Sequence, residues 1–328
     1  MMVMKLSTIP IGLVSREFYM EKQRGKILVT PRSLSRDGHP GLQLLIDDGF
    51  DVLMPWPGKQ PNENQLLEVL PSCVAYLAGV ETISEQVLAA SPNLKVISRN
   101  GVGMDNVDLE AAKRLGIVVI GTPGANSQGV AELALALLFD GLRAVSWSNA
   151  HMKTGEWSRM RGFEVEGKTL GIIGCGNIGQ RLARMAIGIG MKVLGYDLYK
   201  DERMEQMEGF SYAGLHKVLK ESDVISLHCP PEDKPLLDSK SLRMMRKGVV
   251  IVNTARDGLI EHQAMLEALN TGQVITYATD VYDNEPPELD GLLRHERVVM
   301  TPHIGGFTEE SVERATIAAV RNILQVIE

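Results

Sequence analysis

The chain has 328 residues, 44% of them hydrophobic and 23% charged, which is the composition of a globular protein long enough for two domains. A net charge of -7 excludes a surface that binds nucleic acid through its phosphates, because that requires clustered Lys and Arg. The three cysteines, Cys73, Cys175 and Cys229, are too few for a disulfide framework and lack metal-ligand spacing, so no metal and a reducing, cytoplasmic setting are expected.

Residues 1–24 read as an extension of unassigned role. Pro10, Arg16 and Glu21 interrupt its apolar content, so it lacks the continuous apolar stretch of a secretory signal. From Lys26 onward, β-branched runs at 27–29, 51–54, 74–77, 94–98 and 116–120 alternate with helical patterns, which indicates βαβ units and a parallel sheet. One long helix is predicted over 126–152. The apolar stretch inside it, near 130–139, carries Glu132 and is closed by Asp140, so it cannot span a membrane, which takes about 20 apolar residues.

A connector containing Gly155, Trp157 and Gly167 leads to a second alternating series. Its predicted strands are Thr169–Ile173, Lys192–Tyr196, Val224–Leu227, 249–252, 276–280 and Val298–Met300, six in all, as a doubly wound nucleotide fold requires. The last helix has Thr308 as N-cap, Glu309 and Glu310 in its first turn, and Val312, Ala319, Val320, Ile323 and Ile327 on one apolar face. With the second sheet complete, that face is expected to return to the first. The expected fold is therefore α/β with two domains: 1–122 with 304–328, a discontinuous substrate-binding unit, and 123–303, an inserted Rossmann-type nucleotide-binding unit.

Gly174-Cys175-Gly176-Asn177-Ile178-Gly179 follows a predicted strand and opens a helix with Ile178, Leu182, Met185 and Ala186 on its apolar face. In that context Gly174 serves the tight turn, Gly176 the approach of a pyrophosphate, and Gly179 the packing of helix on strand. The next strand ends in Asp197, roughly 20 residues on, where an acid accepts hydrogen bonds from a ribose diol and repels a 2'-phosphate. NAD is thus expected rather than NADP, although Lys200 lies nearby.

Three later segments end at predicted strands of this sheet and carry Arg256, Glu285 and His303. Ligands of open α/β sheets bind beyond the carboxyl ends of the strands, so the three can share one crevice. An imidazole titrates near neutrality and suits the proton transfer that accompanies hydride loss from an alcohol. A carboxylate such as Glu285 on its other nitrogen would orient it and favour the protonated form, and Arg256 would fork onto a substrate carboxylate.

From Lys26 to its C-terminus the chain resembles the D-isomer-specific 2-hydroxyacid dehydrogenases. The resemblance is carried by Arg99-Asn100-Gly101-Val102-Gly103-Met104-Asp105-Asn106-Val107-Asp108, by Thr122-Pro123 and residues 126–132, by the glycine fingerprint, and by the Arg256, Glu285 and His303 segments. It implies a flavodoxin-like substrate domain beside a Rossmann domain that dimerises through its long first helix, with hinge closure excluding water. Carried over by position, Val102 and Gly103 offer backbone N–H groups to a substrate carboxylate, with Arg99 and Asn126 nearby. Asn177, Ile178, Asp197, Cys229, Pro230, Thr254, Asp280 and Gly305 match cofactor-contact positions, Asp280 that of the nicotinamide amide.

Val29-Thr30-Pro31-Arg32-Ser33 and the segment from Arg99 are most similar to the phosphoglycerate dehydrogenase branch. Leu77 and Ala78, however, stand where biosynthetic members place a second arginine for the substrate phosphate. Asp257 occupies a position where Gly or Ala is common, and either screens Arg256 or points to solvent. The stretch after His303 is too short for an appended serine-sensing domain. The alternatives are a glyoxylate or hydroxypyruvate reductase and, from another class, an NAD(H)-responsive binding protein resembling corepressors of the same fold.

Overall fold

Short apolar runs without a polar alternation bury both faces only in a parallel sheet covered by helices on each side. The computed structural model describes residues 24–289 and 291–328 and contains two such sheets. Of the sequence-predicted extension only Arg24 lies within the described residues; its guanidinium bonds the Asp48 carboxylate and sits 4.9 Å from the centre of the Phe50 ring.

The first sheet comprises β1 (Gly25–Val29), β2 (Phe50–Leu53), β3 (Cys73–Ala78), β4 (Val96–Arg99) and β5 (Val118–Ile120), ordered β2-β1-β3-β4-β5. The second comprises β6 (Thr169–Ile173), β7 (Lys192–Tyr196), β8 (Phe210–Tyr212), β9 (Val224–Leu227), β10 (Val249–Asn253), β11 (Val274–Thr279) and β12 (Val298–Met300), ordered β12-β11-β10-β9-β6-β7-β8. All their pairings are parallel. The first order is flavodoxin-like, and the second is the Rossmann order with a seventh strand added.

Two sequence expectations need correction. The second sheet has seven strands rather than six: the edge strand β8 is only three residues long, too short to show a period, and pairs Val193 with Phe210. The helix predicted over 126–152 is two helices, Ser127–Arg143 and Val145–Lys153, separated by Ala144 at φ 50° and ψ 47°. Apolar periodicity does not register this break, which is made by backbone and cap bonds. The Asp140 carbonyl accepts the Ala144 N–H at 2.6 Å, and its carboxylate accepts the Ser146 N–H at 2.8 Å.

The first of these helices buries Ala131, Ala134, Leu137, Leu138 and Leu142 against the second sheet. Gly141 allows the close approach, because a Cβ there would stand 2.6 Å from Cγ1 of Val250 on β10. The second helix buries nothing.

The C-terminal helix, Glu309–Ile327, leaves the second sheet and covers the first. Thr308 caps it through Oγ1, which accepts the Ser311 N–H at 3.1 Å, and Ala319, Val320 and Ile323 pack with Ile27, Val29, Leu77 and Val96. Its polar side chains also grip the first connection between the sheets. Arg314 donates to the Ala125 carbonyl at 2.8 Å, and Asn322 donates to Gly121 O at 3.1 Å and Ser98 Oγ at 3.2 Å. The two connections are therefore joined along one helix.

The helix Asn177–Gly188 lies against β6 at a point where no side chain fits: a Cβ on Gly179 would overlap the Gly174 carbonyl oxygen. Gly179→Ala is expected to cost about 1–3 kcal/mol of stability, as overpacking does, and to weaken NADH binding at least tenfold. Thermal unfolding and fluorescence titration check both; an unchanged NADH affinity would mean the turn tolerates displacement.

Candidate active site

β6 and β9 are neighbours at the place where the strand order reverses, so their carboxyl ends open a crevice. Gly174 sits there at φ 96°, a left-handed conformation, and a Cβ on it would press on the backbone of His228 and Cys229. Gly176 behaves differently: it is exposed, and a Cβ would meet no atom within 4 Å. Its lack of a side chain leaves the backbone at the helix start open to a ligand. Asn177 is also exposed, Ile178 is half-buried, and the positive end of the helix faces this space. These features fit a pyrophosphate.

Asp197 ends the next strand, and its carboxylate accepts the Cys175 N–H at 2.6 Å and the Tyr199 N–H at 2.9 Å. Its acid is thus pinned beside the fingerprint, as ribose recognition requires. Cys229 and Pro230 follow β9 on the other side of Gly174, and burial pushes the Cys229 thiol up to about 11, so it stays protonated. The imidazole of His228 lies between Ser226 Oγ, at 2.8 Å from Nε2, and Thr254 Oγ1, at 3.5 Å from Nδ1. Desolvation pushes it down to about 3, so this histidine is neutral and serves to orient Thr254.

β11 and β12 deliver the second group of residues. Asp280 is buried and holds the loop after β12 by three bonds. Its Oδ1 accepts the Thr301 hydroxyl at 2.6 Å and the Ile304 N–H at 2.8 Å, and its Oδ2 accepts the Gly305 N–H at 2.8 Å. A carboxylate has about four acceptor positions, which leaves one on Asp280 for an amide donor. Within the loop His303 adopts φ 52°, an uncommon conformation for a residue with a Cβ, and its N–H donates to the Thr301 carbonyl at 2.9 Å.

That conformation turns the imidazole toward Glu285, whose Oε1 lies 2.7 Å from His303 Nδ1. The hydrogen bond and charge of Glu285 raise the His303 pKa above its ordinary 6.5 against an opposing desolvation, with smaller contributions from Asp280 (raising) and Arg256 (lowering). His303 is half-exposed, so its other nitrogen is accessible.

Arg256 follows β10 and reaches the first sheet. Its Nε donates to Asp105 Oδ2 at 2.8 Å, and Nη1 donates to the Ala255 carbonyl at 2.7 Å. Nη2 lies against Gly103, where any Cβ would overlap it. The guanidinium is therefore seated on the loop that contains Val102 and Gly103. No protein acceptor among the described residues takes the N–H groups of Val102 or Gly103. Asn126 stands at the other side of the crossing, packed against Gly306, with its buried Oδ1 unbonded.

Arg99 does not stand free. It is 7% exposed, and its guanidinium donates to the carbonyls of Gly103 at 2.9 Å and Ala78 at 3.3 Å, so it carries the loop of Val102 and Gly103 from beneath. Asp257 neither screens Arg256 nor points to solvent: both its oxygens lie 3.0 Å from His262 Nε2. Sequence reading gave no role to Asp105, His228, Arg314 or Asn322. Asp105 lay inside a motif already singled out, whereas the others act on partners far along the chain and leave no local pattern.

A family model described as D-isomer specific 2-hydroxyacid dehydrogenase, NAD binding domain, matches residues 135–305. The chain is 38% identical over 271 residues to the hydroxypyruvate reductase of Thermotoga maritima, covering 80% of this chain and 88% of that protein. It is also 38% identical over 250 residues to the D-3-phosphoglycerate dehydrogenase of Methanocaldococcus jannaschii, covering 75% of this chain and 48% of that protein, so it spans about half that relative's length. The solved structure of D-lactate dehydrogenase from Aquifex aeolicus, complexed with NAD and lactic acid, matches with a TM-score of 0.78 at 28% identity, covering 91% of this chain and 94% of that one. With these likenesses added to the crevice geometry, the chain belongs to the D-isomer-specific 2-hydroxyacid dehydrogenases, NAD-dependent oxidoreductases acting on a CH–OH group.

Proposed function

We propose that His303 is the proton-transfer residue, Glu285 its partner and Arg256 the substrate anchor, acting on a small unphosphorylated 2-keto acid in the cytoplasm. The observation that carries this reading is the pairing of His303 Nδ1 with Glu285 in the same crevice as an arginine seated on the substrate loop. When bound, NAD supplies or accepts the hydride. In reduction, His303 donates its Nε2 proton to the substrate carbonyl oxygen, and in oxidation it takes that proton back from the hydroxyl. Glu285 holds the ring through Nδ1 and favours the protonated form. Val102 and Gly103 bind the substrate carboxylate through their N–H groups, assisted by Arg256 Nη2. Within the described residues, 24–122 with 304–328 form the substrate-binding unit and 123–303 the nucleotide-binding unit, closing on each other to exclude water.

The sequence leans toward the phosphoglycerate branch, but several features favour a substrate without phosphate. Leu77 and Ala78 stand where the resemblance places a second arginine in biosynthetic members, and both hydrogen-bond partners of Arg99 are backbone carbonyls. Hydroxypyruvate and glyoxylate, the substrates in the names of two relatives, carry no phosphate. The free state of all three cysteines suits a reducing compartment.

A homodimer follows from the helix Val145–Lys153 and the connector after it. They expose Val145, Met152, Trp157 and Phe163 at 59%, 52%, 80% and 46%, an apolar patch of the kind that marks an interface. The double substitution Met152→Glu with Trp157→Glu is expected to halve the mass measured by light scattering. A wild-type chain already monomeric at micromolar concentration would refute the dimer.

His303→Ala is expected to lower turnover about 10²-fold or more with NADH affinity retained. Because reduction uses the protonated imidazole, the reductive rate is full well below the raised His303 pKa and falls as pH rises through it, while the oxidative rate climbs there. In Glu285→Gln the fall should move to lower pH, and identical pH profiles would remove Glu285 from the mechanism. In a substrate series, kcat/KM for hydroxypyruvate or glyoxylate should exceed that for phosphohydroxypyruvate at least tenfold. The reverse order would restore the phosphorylated substrate.

A further inference from the structure

Beneath the substrate loop lies a carboxylate that the mechanism does not use. Glu81 is 2% exposed and follows β3 by three residues. Its Oε1 accepts the Thr30 hydroxyl, the Tyr76 hydroxyl at 2.5 Å and the Gly79 N–H at 2.8 Å. Three donors thus converge on one oxygen of this side chain. Tyr76 is fixed as one of those donors, because burial and then Glu81 push its pKa well above 10.

The cation that this charge faces is Arg99. Burial lowers the Arg99 pKa, and Glu81 is the largest influence opposing that shift, whereas Arg256 adds to it. Two guanidiniums thus stand near one small loop, with Glu81 as the buried countercharge on the protein side. The backbone of Glu81 is tied to the same loop, since its carbonyl accepts Asn106 Nδ2 at 2.5 Å, and Ile83 N–H donates to Asn106 O at 2.7 Å. Space is tight as well: a Cβ on Gly79 would stand 2.7 Å from Glu81 Oε2.

We infer that Glu81 is a positioning residue for substrate binding, seating Arg99 and through it the Val102 and Gly103 N–H groups that receive the substrate carboxylate. This rests on the assignment of those two N–H groups under the proposed function. The link runs through adjacent backbone, since Glu81 accepts the Gly79 N–H and Arg99 donates to the carbonyl of the preceding Ala78. Glu81 gathers the ends of β1 and β3, Arg99 spans from the Ala78 carbonyl on β3 to the Gly103 carbonyl in the loop, and Arg256 closes over Gly103 from the other sheet. Neutralising Glu81 leaves Arg99 buried without its countercharge, so it leaves this position and the loop loses its support.

The test uses oxamate, a carboxylate analogue of a 2-keto acid, titrated against the NADH-bound protein by fluorescence, together with steady-state kinetics on hydroxypyruvate. In Glu81→Gln, oxamate affinity is expected to fall at least tenfold and KM to rise equally, while kcat and the NADH dissociation constant stay within about threefold. Arg99→Lys, which keeps the charge but cannot reach both carbonyls, should show the same split. The double variant should lose no more than the worse single one, because both act on one contact. Unchanged oxamate affinity in folded Glu81→Gln, or in Arg99→Lys where the former does not fold, overturns the inference. Equal losses of oxamate and NADH binding, which a merely structural role predicts, overturn it too. If the wild type binds no oxamate and reduces no 2-keto acid, the proposed function fails first.

Discussion

The geometry of this crevice depends on one buried carboxylate. Asp280, just after β11, converges two oxygens on a hydroxyl and two backbone N–H groups of the loop after β12, on both sides of His303, which that loop holds at positive φ. A residue with a Cβ at φ 52° carries a conformational cost, on the order of 1–3 kcal/mol for such outliers, and it persists only where surrounding bonds over-determine it. Here they do, and the result is an imidazole presented edge-on to Glu285 with its second nitrogen left open.

Glycines play the complementary part by removing what would stand in the way. Gly103 lets Arg256 lie on the loop that contains it, Gly179 lets a helix start against β6, and Gly129 lets the helix Ser127–Arg143 pass the loop after β12, since a Cβ on Gly129 would stand 2.8 Å from Gly305 O. Each is a point where two backbones, or a backbone and a guanidinium, come closer than any side chain allows. Gly176, three residues before Gly179 in the same turn, instead faces open space, and that contrast separates a glycine kept for packing from one that leaves room for a ligand.

The two sheets are coupled through more than the crevice. The C-terminal helix packs on the first sheet after leaving the second, and Arg314 and Asn322 on that helix bond the carbonyls of Ala125 and Gly121 on the outgoing connection.

The sequence by itself determined the two parallel sheets and the glycine turn with its acid, and it singled out Arg256, Glu285 and His303 as candidates, because each is written in a local pattern: a run of β-branched residues, a fixed glycine spacing, a polar residue just past a buried strand. Tertiary structure alone decided the break at Ala144 and the edge strand β8, which depend on cap bonds and on one short pairing that periodicity cannot register. It also decided that Arg99 supports a loop, that Asp257 pairs with His262, and that Glu81 meets Thr30 across 51 positions of sequence. A side chain's role in such cases is set by which charges and carbonyls the fold brings within hydrogen-bond reach, and contacts made between distant strand ends leave no trace in the residues beside them.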